Sequence, residues 1–219
     1  MASRHKTLQL IRAEWQSDLS QKAVLAGVML QLFTTVLVCY LAVQVMPSAV
    51  WNAMFWILVI TGTMQGIVKN FIAVPSGRWL YLYQLCDPAS LILAKIIYNS
   101  VVMTVLMLGT LLLYSFFLGF YAPQWWHYLL SVWLTGLGIS TVLTLVSAIS
   151  AKTRHAGLIA PVLSLPVIIP VLLAGMSASR KCLESFLPSA FYKDLMVVLT
   201  LDALLIYLSL ILFGFVWRE

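Results

Sequence analysis

A chain of 219 residues that is 62% hydrophobic and only 9% charged cannot turn most of its area to water, because soluble domains carry roughly 25% charged residues. Its net charge of +6 comes from 13 Lys and Arg against 7 Asp and Glu. The basic residues sit in short clusters between apolar runs, which suits loops meeting an anionic membrane surface and not nucleic acid.

Residues 1–22 are polar but patterned: Leu8, Ile11, Trp15 and Leu19 share one helical face, while Arg4, Arg12, Glu14 and Asp18 fall elsewhere. This predicts a cytoplasmic amphipathic helix lying in the membrane interface, with an ordinary polar tail as the alternative. Residues 23–219 read as a single all-α transmembrane domain of six helices, since each apolar run is about the 20 residues that cross a bilayer. The first span, 23–46, is too long for the core of a signal peptide. Pro47-Ser48 turns the chain into the second span, 50–68. A polar stretch, 69–95, leads to the third span, 96–120, and Tyr121-Ala122-Pro123 ends it. The fourth covers 128–150 and is closed by Lys152-Thr153-Arg154-His155. The fifth covers 156–178, a second polar segment covers 179–194, and the sixth span is 195–217.

Orientation follows from charge. With the N-terminus inside, Arg4, Lys6, Arg12, Lys22, Lys69, Arg78, Lys95, Lys152, Arg154 and Arg218 are cytoplasmic, and only Arg180, Lys181 and Lys193 are outside. The positive-inside rule then puts both termini in the cytoplasm and segment 179–194 in the periplasm. Trp51, Trp56, Trp125, Trp126 and Trp217 fall at or near the expected interfaces.

Chemistry is thin. Cys39, Cys86 and Cys182 form no CxxC and no metal spacing with histidine, so no metal site is expected. There is no GxxxxGK[ST], HExxH or GxSxG, so nothing here cradles a nucleotide or builds a catalytic centre. Asp202 is the only clear intramembrane acid, which disfavours an ion-coupled carrier. The chain reads as non-catalytic.

Two segments carry more information. Within 69–95, Arg78, Trp79, Tyr81, Tyr83, Gln84 and Leu85 make a short aromatic, amphipathic run. Asp87 then reads as an N-cap and Pro88 as the first turn of a helix leading into the third span. Such a segment suits a partner's groove, and a re-entrant or surface-lying loop with no partner is the alternative. In the fifth span Pro161, Pro166 and Pro170 predict a kinked or broken helix, and Ala174-Gly175 allows close approach. In the fourth, Gly136, Ser140, Thr144 and Ser147 form a small polar face suited to close packing. His127 follows Trp125-Trp126 on the expected outer side. That triplet reads as an aromatic belt, with haem ligation by His127 the less favoured alternative.

The layout of six spans, an amphipathic N-terminal helix and a long second loop resembles the ABC-2-type permeases. Two stretches make the chain similar to the CcmB family: Lys69-Asn70-Phe71-Ile72, Gly77-Arg78-Trp79-Leu80-Tyr81, Leu85-Cys86-Asp87-Pro88 and Leu93-Ala94-Lys95 in the loop, and Leu165-Pro166-Val167-Ile168-Ile169-Pro170-Val171-Leu172 in the fifth span. The loop departs from the family's usual acidic pattern, with Val74-Pro75-Ser76 where a Glu or Asp is expected. The resemblance implies the membrane subunit of the haem-handling ABC complex of cytochrome c maturation, in the bacterial inner membrane. It implies a separate ATP-binding subunit (CcmA-like) that holds the ATP and is expected to couple through Arg78, Trp79, Tyr81, Tyr83, Gln84, Leu85, Asp87 and Pro88, a second copy of this chain, CcmC-like and CcmD-like membrane subunits, and a periplasmic haem chaperone. No bound cofactor is expected, and haem enters only as a possible substrate. A non-transporting scaffold, or a permease for a lipid or polysaccharide, is the alternative.

Overall fold

The computed structural model describes residues 22–42, 46–72, 88–120, 122–151, 153, 156–184 and 187–218. These form six helices: α1 (Lys22–Ala42), α2 (Ser48–Ile72), α3 (Pro88–Leu118), α4 (Trp125–Ser150), α5 (Ala156–Leu183) and α6 (Pro188–Arg218). Stretches within α3, α4, α5 and α6 are long and apolar enough to cross a membrane, and α1 holds a shorter apolar stretch, Ala26–Ala42. Among the described residues there is no strand. The expected interfacial helix over 1–22 lies, but for Lys22, outside the described residues.

Helix ends follow the backbone chemistry. Pro88 and Pro188 open α3 and α6, where a missing N–H costs nothing and φ is already helical. Gly119, at φ 77°, ends α3 in a left-handed turn that a side chain would strain. Carbonyls just before α2 and α4 take up first-turn donors: Trp51 N–H donates to Pro47 O at 2.9 Å and Tyr128 N–H to Gln124 O at 3.0 Å.

The helices run past the expected spans. α2 continues to Ile72 and α3 starts at Pro88, so both ends of the 69–95 stretch are helical, and 73–87 lies outside the described residues. At the other end α5 takes in 179–183 and α6 takes in 188–194. Polarity stops a hydropathy reading there, but not the helix. Arg180 pairs with Glu184 one turn on, at 2.9 Å, and backbone bonding persists through Glu184 N–H to Arg180 O.

α4 is the centre. It packs against α2, α3, α5 and α6, and Ile139, Val142 and Leu143 are fully buried. α1 flanks α2 and α3 through Val28, Leu32 and Val36. Outward positions carry Leu, Val, Ile and Phe, for example Leu112 and Phe116 of α3 and Leu158 and Leu173 of α5. Apolar outside and mixed inside is the pattern expected of a bundle solvated by lipid.

Candidate functional site

The bundle is tied by polar groups that α2, α3, α4, α5 and α6 turn inward. Between α3 and α4, Asn99 donates to Thr144 Oγ1 at 2.8 Å, and the Ser100 and Ser140 hydroxyls lie 3.4 Å apart. Gly136 meets the end of Met107 so closely that any side chain would displace it. The small polar face expected on the fourth span therefore packs on α3 through Gly136, Ser140 and Thr144, and Ser147 is buried as well.

A second seam joins α2 to α5. Trp56 Nε1 donates to Ser179 Oγ at 3.1 Å, Ser179 Oγ approaches Asn52 Oδ1 at 3.0 Å, and Asn52 Nδ2 donates to Met176 O at 3.2 Å. Beside it Trp51, Phe55, Tyr114 and Tyr128 stack together, with Tyr114 OH donating to Trp51 O and Trp51 Nε1 to Gly119 O. Trp51 and Trp56, expected near the membrane interfaces, are buried within the bundle, where their indole N–H groups find partners. Position near the end of an apolar run gave a depth, and only the helical face decides between lipid and core. Trp125 and Trp126, stacked at 4.3 Å, do stay exposed.

α5 crosses this architecture as one continuous helix despite Pro161, Pro166 and Pro170. Its buried face is Ala160, Ser164, Ile168, Val171, Gly175 and Ala178. Pro166 and Pro170 are exposed. The pyrrolidine rings therefore crowd no neighbour, though each still withholds one donor from the helix. Gly175 presses its backbone on Thr135 of α4, where a Cβ would collide. The expected close approach at Ala174-Gly175 is thus made against α4.

At the end where α4 and α6 begin, the His127 ring stands edge-on to Phe191 at 5.3 Å and to Tyr192 at 6.4 Å. Among the described residues no group of three or more His, Cys, Asp or Glu could hold a metal ion. At the same end Lys181 of α5 bonds Asp194 of α6 and also donates to Ala190 O at 3.2 Å, clamping the α5–α6 turn. Of the expected coupling residues, Arg78, Trp79, Tyr81, Tyr83, Gln84, Leu85 and Asp87 lie outside the described residues, and Pro88 is the first residue of α3.

Sequence reasoning missed Asn52 and Asn99. The available signal was a lone amide inside an apolar run, which in a membrane must find a partner.

Long apolar helices with lipid-type outer faces and hydrogen-bonded inner seams define a multi-pass helical membrane protein. The chain belongs to the CcmB family: the family model described as CcmB protein matches residues 76–213, more than half of its length. Membership makes it a permease subunit of a haem export complex, alongside an ATP-binding subunit and other Ccm components. Neither the curated proteins nor the solved structures compared contain a match.

Proposed function

We propose that this chain is the six-span permease subunit through which ATP hydrolysis on a CcmA-like partner drives haem transfer, or release of a haem-loaded periplasmic chaperone. The observation that carries the reading is the family match over 76–213, which runs from the expected coupling loop through most of α6. The absence of any nucleotide-binding motif from the sequence requires the ATP to be held elsewhere.

In this reading both termini face the cytoplasm of a bacterium whose inner membrane holds the bundle, and 1–22 lies along that surface. The split of basic residues, ten assigned inside against three outside, supports the orientation. Force enters through Arg78, Trp79, Tyr81, Tyr83, Gln84, Leu85 and Asp87, and reaches the bundle along α3, which begins at Pro88. Arg and aromatic side chains supply the anchors typical of interfaces.

α5 is the element offered to a second copy of this chain. Pro166 and Pro170 cannot donate to the carbonyls of Val162 and Pro166, all at exposed positions, and lipid offers such carbonyls no donor. CcmC-like and CcmD-like subunits complete the assembly. On the outer side, Trp125 and Trp126 serve as an aromatic belt, with haem ligation by His127 the less favoured alternative.

The test is affinity purification in mild detergent. Wild-type chain should co-purify an ATPase subunit. Arg78→Glu combined with Tyr81→Ala should insert normally yet lose most of that subunit and most cytochrome c maturation. A full complement of ATPase with unchanged hydrolysis would remove the loop from coupling, and purification without any ATPase would favour the scaffold reading.

A further inference from the structure

Asp202 sits near the middle of the 31-residue α6, on the inward face it shares with Val198, Leu205 and Ser209. It is 7% exposed, and its Oδ1 has no hydrogen-bond partner among the described residues. Neither ion pair there includes it. Gly138 of α4 approaches so closely that a Cβ on it would collide with Asp202 Oδ1, and would meet Val171 Cγ1 of α5 at 2.9 Å. The carboxyl is therefore wedged where three helices meet.

No opposite charge among the described residues reaches it. α4 carries no titratable side chain between Tyr128 and Ser150, α5 none between Ala156 and Ser179, and α3 none between Tyr98 and Tyr114. Tyr128 on α4, and Lys181 and Cys182 on α5, lie about three turns toward the α5–α6 turn. On α6 itself Asp194 is about two turns away and bound to Lys181, while Tyr207 is exposed. Lys95 of α3 lies on the turn whose Ile92 and Ile96 pack with Phe213, about 16 Å along α6 from Asp202. The nearby hydroxyls of Thr135 and Thr141 are committed to their own helix, donating to Ser131 O at 2.7 Å and Leu137 O at 2.9 Å. A bare carboxylate in such a place is strongly unfavourable, and no ligand cluster for a metal cation surrounds it among the described residues. The remaining neutralising species is a proton.

We infer that Asp202 is an intramembrane proton-binding site: its carboxyl takes up one proton where α4 and α6 pack together and gives it up where they part and water enters. The site is independent of the coupling loop and of what the permease carries. Its sign is fixed, since the neutral acid belongs to the packed state, so alkali favours parting.

The experiment is infrared difference spectroscopy of the full-length chain in lipid nanodiscs. At neutral pH the wild type should show the C=O band of a protonated carboxyl, absent in Asp202→Asn and lost reversibly in alkali. Should Asp202→Asn fail to accumulate, carboxyl-labelled aspartate in the wild type assigns the band. A second readout is maleimide labelling of Ser209→Cys, which should rise with pH several-fold more in the Asp202 chain than in the Asp202→Asn background. Absence of the band from intact wild type, a band insensitive to Asp202→Asn or to the aspartate label, or equal labelling in both backgrounds would overturn the inference.

Discussion

α4 and α5 are neighbours of similar length and apolarity, yet 72% of the most apolar stretch of α4 is buried against 22% of that of α5. The difference lies in what each helix puts on each face. α4 distributes Gly, Ser and Thr around its circumference, so α2, α3, α5 and α6 can all approach it. α5 turns Ala160, Ser164, Gly175 and Ala178 toward the bundle and leaves most of its branched aliphatics, with Pro166 and Pro170, on the other face. In lipid, burial of apolar surface drives little association, so small residues and hydrogen bonds decide which helix becomes the hub. A hub tolerates no new volume, whereas a helix with one free face tolerates change there.

The largest effect should come where the two helices touch. Gly175→Val adds a branched side chain against Thr135, which should cost on the order of 3 kcal/mol or more and abolish most folded protein. Leu173→Ala, on the outward face of the same helix, should stay within about 0.5 kcal/mol. Thermal unfolding followed by size-exclusion chromatography in detergent compares them directly. Equal losses in the two variants would dissolve the distinction between the faces.

The seams come next. Asn99→Leu removes the bond to Thr144 inside the α3–α4 contact, and Asn52→Leu removes the Asn52 bonds to Met176 and Ser179 of α5 while leaving Trp56 Nε1 on Ser179. Each should lower stability by about 1–2 kcal/mol, the upper range for interhelical bonds in membranes. Asn52→Leu should be the milder, because Ser179 keeps its bond to Met176 O at 3.1 Å.

These seams show what a sequence conveys and what it does not. The apolar runs and the packing face of α4 were legible, because span length and helical period are local properties. The Asn99–Thr144 pair, separated by 45 positions, and the Ser179–Asn52 pair, separated by 127, have no local signature. That α5 and α6 stay helical past the expected spans was not legible for a related reason. Lys181 and Asp194 look like loop residues one at a time, and only their pairing across the turn reveals two helices continuing. The residues expected to meet an ATPase were chosen from composition and resemblance, and all but Pro88 lie outside the described chain.

The prolines probe the free face. Pro166→Ala and Pro170→Ala restore a backbone donor without touching the buried side of α5, so membrane accumulation should remain within about 0.5 kcal/mol of wild type in stability. Cytochrome c maturation should nevertheless fall several-fold, because a restored backbone bond changes the local bend that proline favours and so how the outward face meets its neighbour. Haem staining of mature cytochromes measures the loss. Wild-type maturation in both variants would show the prolines to be incidental.

The smallest effect carries the comparison down to single side chains at the end of α5. Arg180 and Lys181 are adjacent, yet the Arg180 side chain is 58% exposed and pairs along its own helix with Glu184, while Lys181 is 30% exposed and reaches across to α6. An exposed pair one helical turn apart contributes about 0.3–0.5 kcal/mol and is screened by salt. Lys181 faces a partner that is 19% exposed and holds a second acceptor, Ala190 O. Charge-assisted bonds of that kind are stronger, and discounting for residual solvent leaves roughly 1 kcal/mol. A double-mutant cycle on Lys181→Ala and Asp194→Ala should therefore show coupling about twice that of Arg180→Ala and Glu184→Ala. Raising salt should shrink the second coupling toward zero and leave most of the first. Equal couplings with equal salt dependence would mean that facing the bundle confers nothing at this end of α5, and the contrast with α4 would then hold only within the apolar span.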